Sequence, residues 1–339
     1  MDCIILSHNS SLAALRAFPP QADGLTRVEE PLRVADFSTS AQALAAFDAG
    51  PLGIGQPLHV LAAASAARPR QEGVTSHKLS LEEIPAGFLW RLEPSVYVCG
   101  PELTFIQMAT QLGLVGRSVL GHELCGTYAQ FARMVSGFYE RPPLTTLADI
   151  RRATDLMMGM RGAKIARDAL RWIREDSRSP METVVSNMLF LPSHEGGYGF
   201  AAPTLNHQVA LDDAASAITG TACCYVDMSW PKLRLGIEYD SSAWHADVEK
   251  DRRRREALAH MGWTIYSIQL DDVRNFVSLD RMVSLFAERV PHAHGWHPAS
   301  AADQSQLLRR LFTSTRCGLG LERALFGTPV EHGSIAIHL

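Results

Sequence analysis

The chain has 339 residues, 46% hydrophobic and 20% charged, with 32 Lys and Arg against 36 Asp and Glu for a formal net charge of −4. These are globular values, and the length suggests about two domains. They exclude a protein whose whole surface is a basic coat for nucleic acid, so any such binding has to come from a local patch.

The start, MDCIILSHNSSLAALRAF, has no basic region followed by a long apolar run, and no stretch approaches the ~18 apolar residues of a membrane span. Cys3, Cys99, Cys125, Cys223, Cys224 and Cys317 include no Cys-x-x-Cys pair, and a bridge between adjacent Cys223 and Cys224 would be strained. The expectation is a reduced, cytoplasmic protein with no membrane partner.

In chain order, Cys3 to Leu6 reads as a short strand, followed by a helix with Ser10 or Ser11 as N-cap and Pro19-Pro20 as its stop. PLHVLAA (57–63) and SVYVCG (95–100) read as strands. PELTFIQMATQLGL opens a helix with Pro101 at N1, and a second helix is expected over 118–137. The breaker Arg141-Pro142-Pro143-Leu144 marks a domain boundary, and 146–177 reads as helical. SPMETVVSNMLFL is a helix with Ser179 as N-cap, Pro180 at N1 and Glu182 in the first turn, where the macrodipole favours an acid. Gly196, Gly197 and Gly199 lack the Lys-Ser/Thr of a phosphate loop and read as a turn.

Strands follow at 205–211, 222–230 and 233–240, the last two joined as a hairpin through Pro231-Lys232. A charged helix over 246–262 stops at Gly262, WTIYSIQL (263–270) is a strand, and 271–290 is a helix capped by Asp271. The tail after Pro291 carries one amphipathic helix. The segments are 1–143, a smaller α/β module; 144–179, a helical linker; 180–290, a mixed α/β sheet flanked by helices; and 291–339, a tail.

Three acids sit where chemistry is plausible. Asp227 lies near the end of one strand, and Glu238 and Asp240 leave the same face of the next. The hairpin brings Asp227 beside Glu238, and Glu182 can reach the same corner from its helix. Carboxylates this close repel, and a divalent cation removes that penalty. Oxygen ligands suit magnesium or manganese, with Asp227 and Glu238 as the metal ligands. Such an ion activates water and polarises a phosphoryl group. His245, just beyond the strand, is a candidate general base. Lys250, Arg252, Arg253, Arg254 and Arg255 follow on the next helix and are candidates for backbone-phosphate binding, chiefly Lys250, Arg252, Arg253 and Arg255.

Each feature alone has a plainer reading. An acid at a strand end is commonly a solvated turn residue. An arginine run is commonly a solvated helix face, with Glu249 able to pair with Arg253 at i, i+4. His292, His294 and His297 read as incidental tail histidines rather than a metal site.

The joint pattern resembles a known group. VD (226–227), IEYD (237–240), WH (244–245), KDRRR (250–254) and GW (262–263) are similar to bacterial endonuclease-like domains related to very-short-patch-repair endonucleases. The likeness covers about 110 residues and implies a restriction-endonuclease-like, PD-(D/E)XK fold. It implies a metal-binding Asp227, a second acid Glu238, a helix acid Glu182 and a histidine at His245. The lysine usual in the E-x-K motif is Asp240 here; His245, Lys232 or an arginine of 252–255 is a candidate substitute. Ser241 and Ala246 stand where many relatives have glycine and a second histidine. The segments HVLAAASAARPRQEGVTSHK and FLWRLEPSVYVCGPELTFIQMATQL more faintly resemble AbiEi-type antitoxin and regulator proteins.

The leading expectation is magnesium- or manganese-dependent hydrolysis of DNA phosphodiesters, in defence or repair. The alternative is a catalytically inactive, DNA-binding regulator of a toxin–antitoxin or defence system. Besides DNA, a homodimer mate or an operon-encoded protein is a candidate partner.

Overall fold

The computed structural model describes residues 2–17, 24–62, 71–131, 134, 136–240, 248–292 and 299–315. Strand β1 (Ile4–Leu6) turns at once into α1 (His8–Ala17), the turn made by His8 at φ 49°. Because the helix opens that early, Ser10 and Ser11 are not its caps. They lie buried in the first turn, where Ser10 Oγ accepts the His59 N–H at 2.8 Å and Ser11 Oγ meets Thr104 Oγ1 at 2.9 Å.

Next come β2 (Thr26–Arg27), β3 (Leu32–Arg33), α2 (Ala41–Ala46), β4 (Leu58–Ala62), β5 (Val74–Lys78), β6 (Glu83–Ile84), β7 (Leu89–Glu93) and β8 (Val96–Cys99). Six of these strands form a mixed sheet in the order β2-β7-β8-β1-β4-β5. Helix α3 (Pro101–Met108) carries Pro101 at its first position, where the missing N–H costs nothing.

The single helix expected over 118–137 does not form. Helix α4 runs Leu114–Leu124 and gives way to the antiparallel pair β9 (Tyr128–Gln130) and β10 (Phe138–Glu140). At the break the chain passes so close that at Gly126 a Cβ would come within 2.5 Å of the carbonyl oxygens of His122 and Ser177, a passage open only to glycine. Residues 146–177 likewise split into α5 (Leu147–Leu156) and α6 (Ala163–Ala169). They part at Gly162, which takes φ 100° and sits too close to the Ile106 carbonyl for any side chain. Both helices contribute to the first core through Ile150, Ala153, Ala163 and Ala166, so this stretch packs with the residues before it.

The second unit starts at α7 (Pro180–Phe190), whose N-cap Ser179 accepts the Glu182 N–H. Strand β11 (Thr204–Ala210) is joined to β12 (Cys223–Trp230) through α8 (Asp213–Thr219), a helix not anticipated between the two strands. Asp212 caps α8 and Gly220 stops it at φ 72°. The hairpin β12–β13 (Leu235–Asp240) forms as expected. Then come α9 (Val248–His260), β14 (Thr264–Gln269), α10 (Leu270–Arg274), α11 (Phe276–Ser284) and α12 (Ala301–Thr315). The helix expected over 271–290 is interrupted at Asn275, whose side chain accepts the Val277 N–H and restarts the helix. Gln269, not Asp271, caps α10, in a reciprocal box with Asp272.

The second sheet has the order β11-β12-β13-β14, antiparallel except for the parallel β13–β14 pair. Leu235, Ile237, Met228 and Ile268 pack with α7, α11 and α12 on one face. Val226, Leu258 of α9 and Trp263 pack together on the other. The whole is a mixed α/β fold with helices flanking the sheets. Helix α4 joins the two units: Leu120 and Leu124 belong to the first core, Val115 and Val119 to the second.

Cys3, Cys99, Cys125, Cys223 and Cys224 are free thiols. Among the described residues, no helix is long and apolar enough to cross a membrane.

Candidate active site

Asp227 sits where the second sheet opens. Strands β12 and β13 pair at Trp230↔Leu235, Ser229↔Gly236 and Met228↔Ile237. Just beyond them the Tyr239 N–H donates to Asp227 Oδ2, at 3.0 Å. The carboxylate is thus wedged between two strands that have parted. The alternation of β12 breaks here too: Val226 packs in one apolar cluster and Met228, two residues on, in another. On the other side of β12, Asn206 of β11 takes the left-handed φ of 45°. The local distortion places a half-buried acid beside the parted strands.

Glu182 reaches the same corner from α7. It is 8% exposed, and its Oε2 accepts the Arg178 N–H at 3.0 Å and Asn206 Nδ2 at 2.6 Å. Asn206 Nδ2 also donates to the Asp176 carbonyl at 2.7 Å, so one amide ties the α7 entry to β11. Burial pushes the Glu182 carboxyl above its usual range, against these hydrogen bonds. Burial, aided by the charges of Glu182 and Glu238, also lifts Asp227 to about 8. Burial thus disfavours the charged form of both Glu182 and Asp227, and the neighbouring acids add to it at Asp227.

Glu238 has a cationic partner in this corner. Arg254 of α9 forks onto Glu238, with Nη1 2.5 Å from Oε2 and Nη2 on Oε1, and Nη2 also meets the Tyr225 carbonyl. The pair is largely sheltered, with side chains 26% and 13% exposed. Next to it the Arg178 guanidinium lies 4.5 Å from the Tyr225 ring centre, a cation–π contact at the rim. Arg254 was one residue of a run of four in sequence. Its inward place follows the helical stripe Arg254, Ala257, Leu258, of which the last two are fully buried.

The remaining candidates fare differently. Arg252 is held by Glu249 and Glu256 at 2.8 and 2.9 Å, and Arg253 by Glu249 at 3.1 Å. Hydrogen bonds from Arg252 and Arg253 hold Glu249 down at about 2. These two arginines form a paired surface face rather than a free cationic row. Arg255 is exposed on the same helix, and Lys250 is exposed and already engaged. Asp240 ends β13, in register with Gln269 of β14. His245, with Ser241 and Ala246, lies outside the described residues, as do His294 and His297. His292 stacks on Phe200 with ring centres 4.8 Å apart.

Among the described residues, no group of three or more His, Cys, Asp or Glu side chains is disposed to hold a metal ion. The donor set nonetheless suits a hard divalent cation of the magnesium kind, which takes one or two carboxylates and completes its shell with water and phosphate oxygens. Asp227 and Glu238 would hold it, and Arg254 would have to release Glu238. The nearness of the Glu182 and Glu238 carboxyls to Asp227 speaks for the fit: burial first, and then their charges, push the Asp227 carboxyl up, and a bound cation would offset both.

No family model and no solved structure matches the chain. Two uncharacterized proteins of Mycobacterium tuberculosis, one from strain CDC 1551 / Oshkosh and one from strain ATCC 25618 / H37Rv, are each 30% identical to it over 130 residues. The match takes in 38% of this chain and 43% of each relative, so the chain spans less than half the length of the curated relatives it matches.

Proposed function

We propose that the second unit is a nuclease of the PD-(D/E)XK kind that hydrolyses DNA phosphodiesters with magnesium or manganese. The observation that carries this reading is the half-buried Asp227, held by the Tyr239 N–H with the Glu182 and Glu238 carboxyls beside it. Carboxyl groups brought together in a sheltered corner, with their pKa values pushed up, concentrate at functional sites. The cation supplies Lewis acidity and a water of lowered pKa. Asp227 and Glu238 bind it, and Glu182 fixes the β11–α7 corner through Asn206. Arg254 is the positively charged side chain nearest Glu238 and stands in for the missing E-x-K lysine. Arg178, beside Tyr225, and Arg255, exposed on α9, are suited to phosphate contacts. Metal-dependent nicking of plasmid DNA that disappears in Asp227→Asn would support the reading.

One observation favours the inactive, DNA-binding alternative. Arg254 neutralises Glu238 without a metal, and Arg252 and Arg253 are paired with their own helix's acids. Under that reading the Glu238–Arg254 fork is a structural ion pair, and magnesium changes neither DNA binding nor thermal stability. A defence, repair or toxin–antitoxin role remains a proposal attached to whichever reading survives.

A further inference from the structure

Tyr225 stands two residues before Asp227 on β12 and is 38% exposed. Its ring belongs to neither of the apolar clusters that hold this sheet. It stacks instead with Arg178, whose guanidinium carbon lies 4.5 Å from the ring centre. Arg178 is exposed as well. The pair is therefore a cation–π stack whose two members both meet solvent.

The main chain fixes this stack beside the carboxylates through two separate bonds. The Tyr225 carbonyl accepts Arg254 Nη2, and the same guanidinium forks onto Glu238. The Arg178 N–H donates to Glu182 Oε2 at 3.0 Å. Neither acid depends on the stacked side chains for its hydrogen bonds. Glu238 has Arg254, and Glu182 has main-chain N–H and Asn206. What the two side chains add is a planar, positively charged platform next to the corner.

Platforms of this kind suit bases that are not stacked on one another. In a duplex each base lies between its neighbours and shows only its edges in the grooves. A base released from pairing offers its whole face to an aromatic ring or a guanidinium plane. Arg178 can take part and still offer its N–H edge to a phosphate, because the face and the edge of a guanidinium are separate.

We infer that the Arg178–Tyr225 stack receives an unpaired nucleobase, so that the strand led to Asp227 and Glu238 is single-stranded DNA. The inference rests on the nuclease reading for the choice of DNA, and it deepens that reading by naming the state of the strand.

The test is binding without metal. Fluorescence anisotropy, with chelator present, would compare the full chain on labelled oligothymidine, on the same strand paired with oligoadenine, and on an abasic strand of equal length. Wild type should bind oligothymidine about tenfold tighter than either of the others, the size of one base–aromatic stack. Tyr225→Leu should erase that preference and leave duplex binding and its salt dependence unchanged. Tyr225→Trp should keep the preference. The inference is overturned if wild type binds the abasic strand or the duplex as tightly as oligothymidine, if Tyr225→Leu keeps the preference or weakens duplex binding equally, or if Tyr225→Trp loses it. Should Tyr225→Leu fail to fold, the abasic strand on wild type and the Tyr225→Trp result still decide the matter. The preference present without cleavage would sink the nuclease reading alone; metal-dependent nicking without the preference would sink this inference alone.

Discussion

Asp227→Asn should make the metal-free protein more stable, not less. Asparagine keeps the shape of the side chain and an oxygen for the Tyr239 N–H, and removes the ionisable proton. In the unfolded chain an aspartate releases its proton near 4; in the fold this one releases it at about 8. Between those values the folded state holds the extra proton, so wild-type stability falls as pH rises, by up to about 1.4 kcal/mol per unit. The contribution is fully present below pH 4 and lost by pH 8. At pH 7 the accumulated loss is bounded near ~4 kcal/mol, and relaxation and water entry reduce what is measured to about 2 kcal/mol. Urea unfolding followed by tryptophan fluorescence, at several pH values from 5 to 8 and with chelator present, reads the difference directly. The variant should lead by a margin that widens with pH, and magnesium should narrow it by stabilising only the wild type. A variant less stable than wild type at pH 7.5, or a margin flat across the range, would show that Asp227 is not held under electrostatic strain.

Arg254→Met should cost about 2 kcal/mol in the same assay, between the values for exposed and fully buried ion pairs, because Glu238 then loses the guanidinium forked onto it; an unchanged unfolding midpoint would contradict the fork. Ser179→Ala should cost about 1 kcal/mol by removing the α7 cap, measured by thermal unfolding, and a loss below a few tenths would mean another group takes over. On the acid side, burial, then the charges of His77 and His59, hold His8 down at about 3. Its folded pKa lies below the unfolded value near 6.5, so stability falls as pH drops through that window. His8→Asn, which tolerates the left-handed backbone at φ 49°, should lessen the loss between pH 7 and 5; equal losses in both proteins would rule out His8 as the source.

Much of the second unit was legible because its punctuation is chemical. Ser179-Pro180 announces α7, and Pro231-Lys232 turns β12 back onto β13, which sets Asp227 beside Glu238. Other features depend on tertiary choices that one-dimensional patterns do not encode. The α8 insertion was missed because seven residues barely register a helical period, although Asp212 and Gly220 bracket it. Four consecutive arginines look alike in sequence, and only the buried Ala257–Leu258 stripe turns Arg254 inward. Asn206 became visible as a structural tie only once its left-handed backbone brought its amide to Glu182. The cluster of His8, His59 and His77, with His59 Nδ1 2.7 Å from His77 Nε2, arises from the register of β4 on β5 and had no signature at all. The helices expected over 118–137 and 146–177 are each interrupted, and the interruptions include Gly126 and Gly162, where the neighbours leave no room for a Cβ.

The central claim is that Asp227 and Glu238 hold a divalent ion for phosphodiester hydrolysis, and cleavage tests it most directly. Supercoiled and linear DNA would be incubated with wild type, Asp227→Asn and Glu238→Gln, each with magnesium, with manganese and with chelator. The account predicts nicking or linearisation by wild type with metal only, and a loss of at least a hundredfold in both variants, all three proteins remaining folded. DNA retarded equally by all three proteins, with no cleavage under any condition, would contradict it and leave the nuclease-fold binding module.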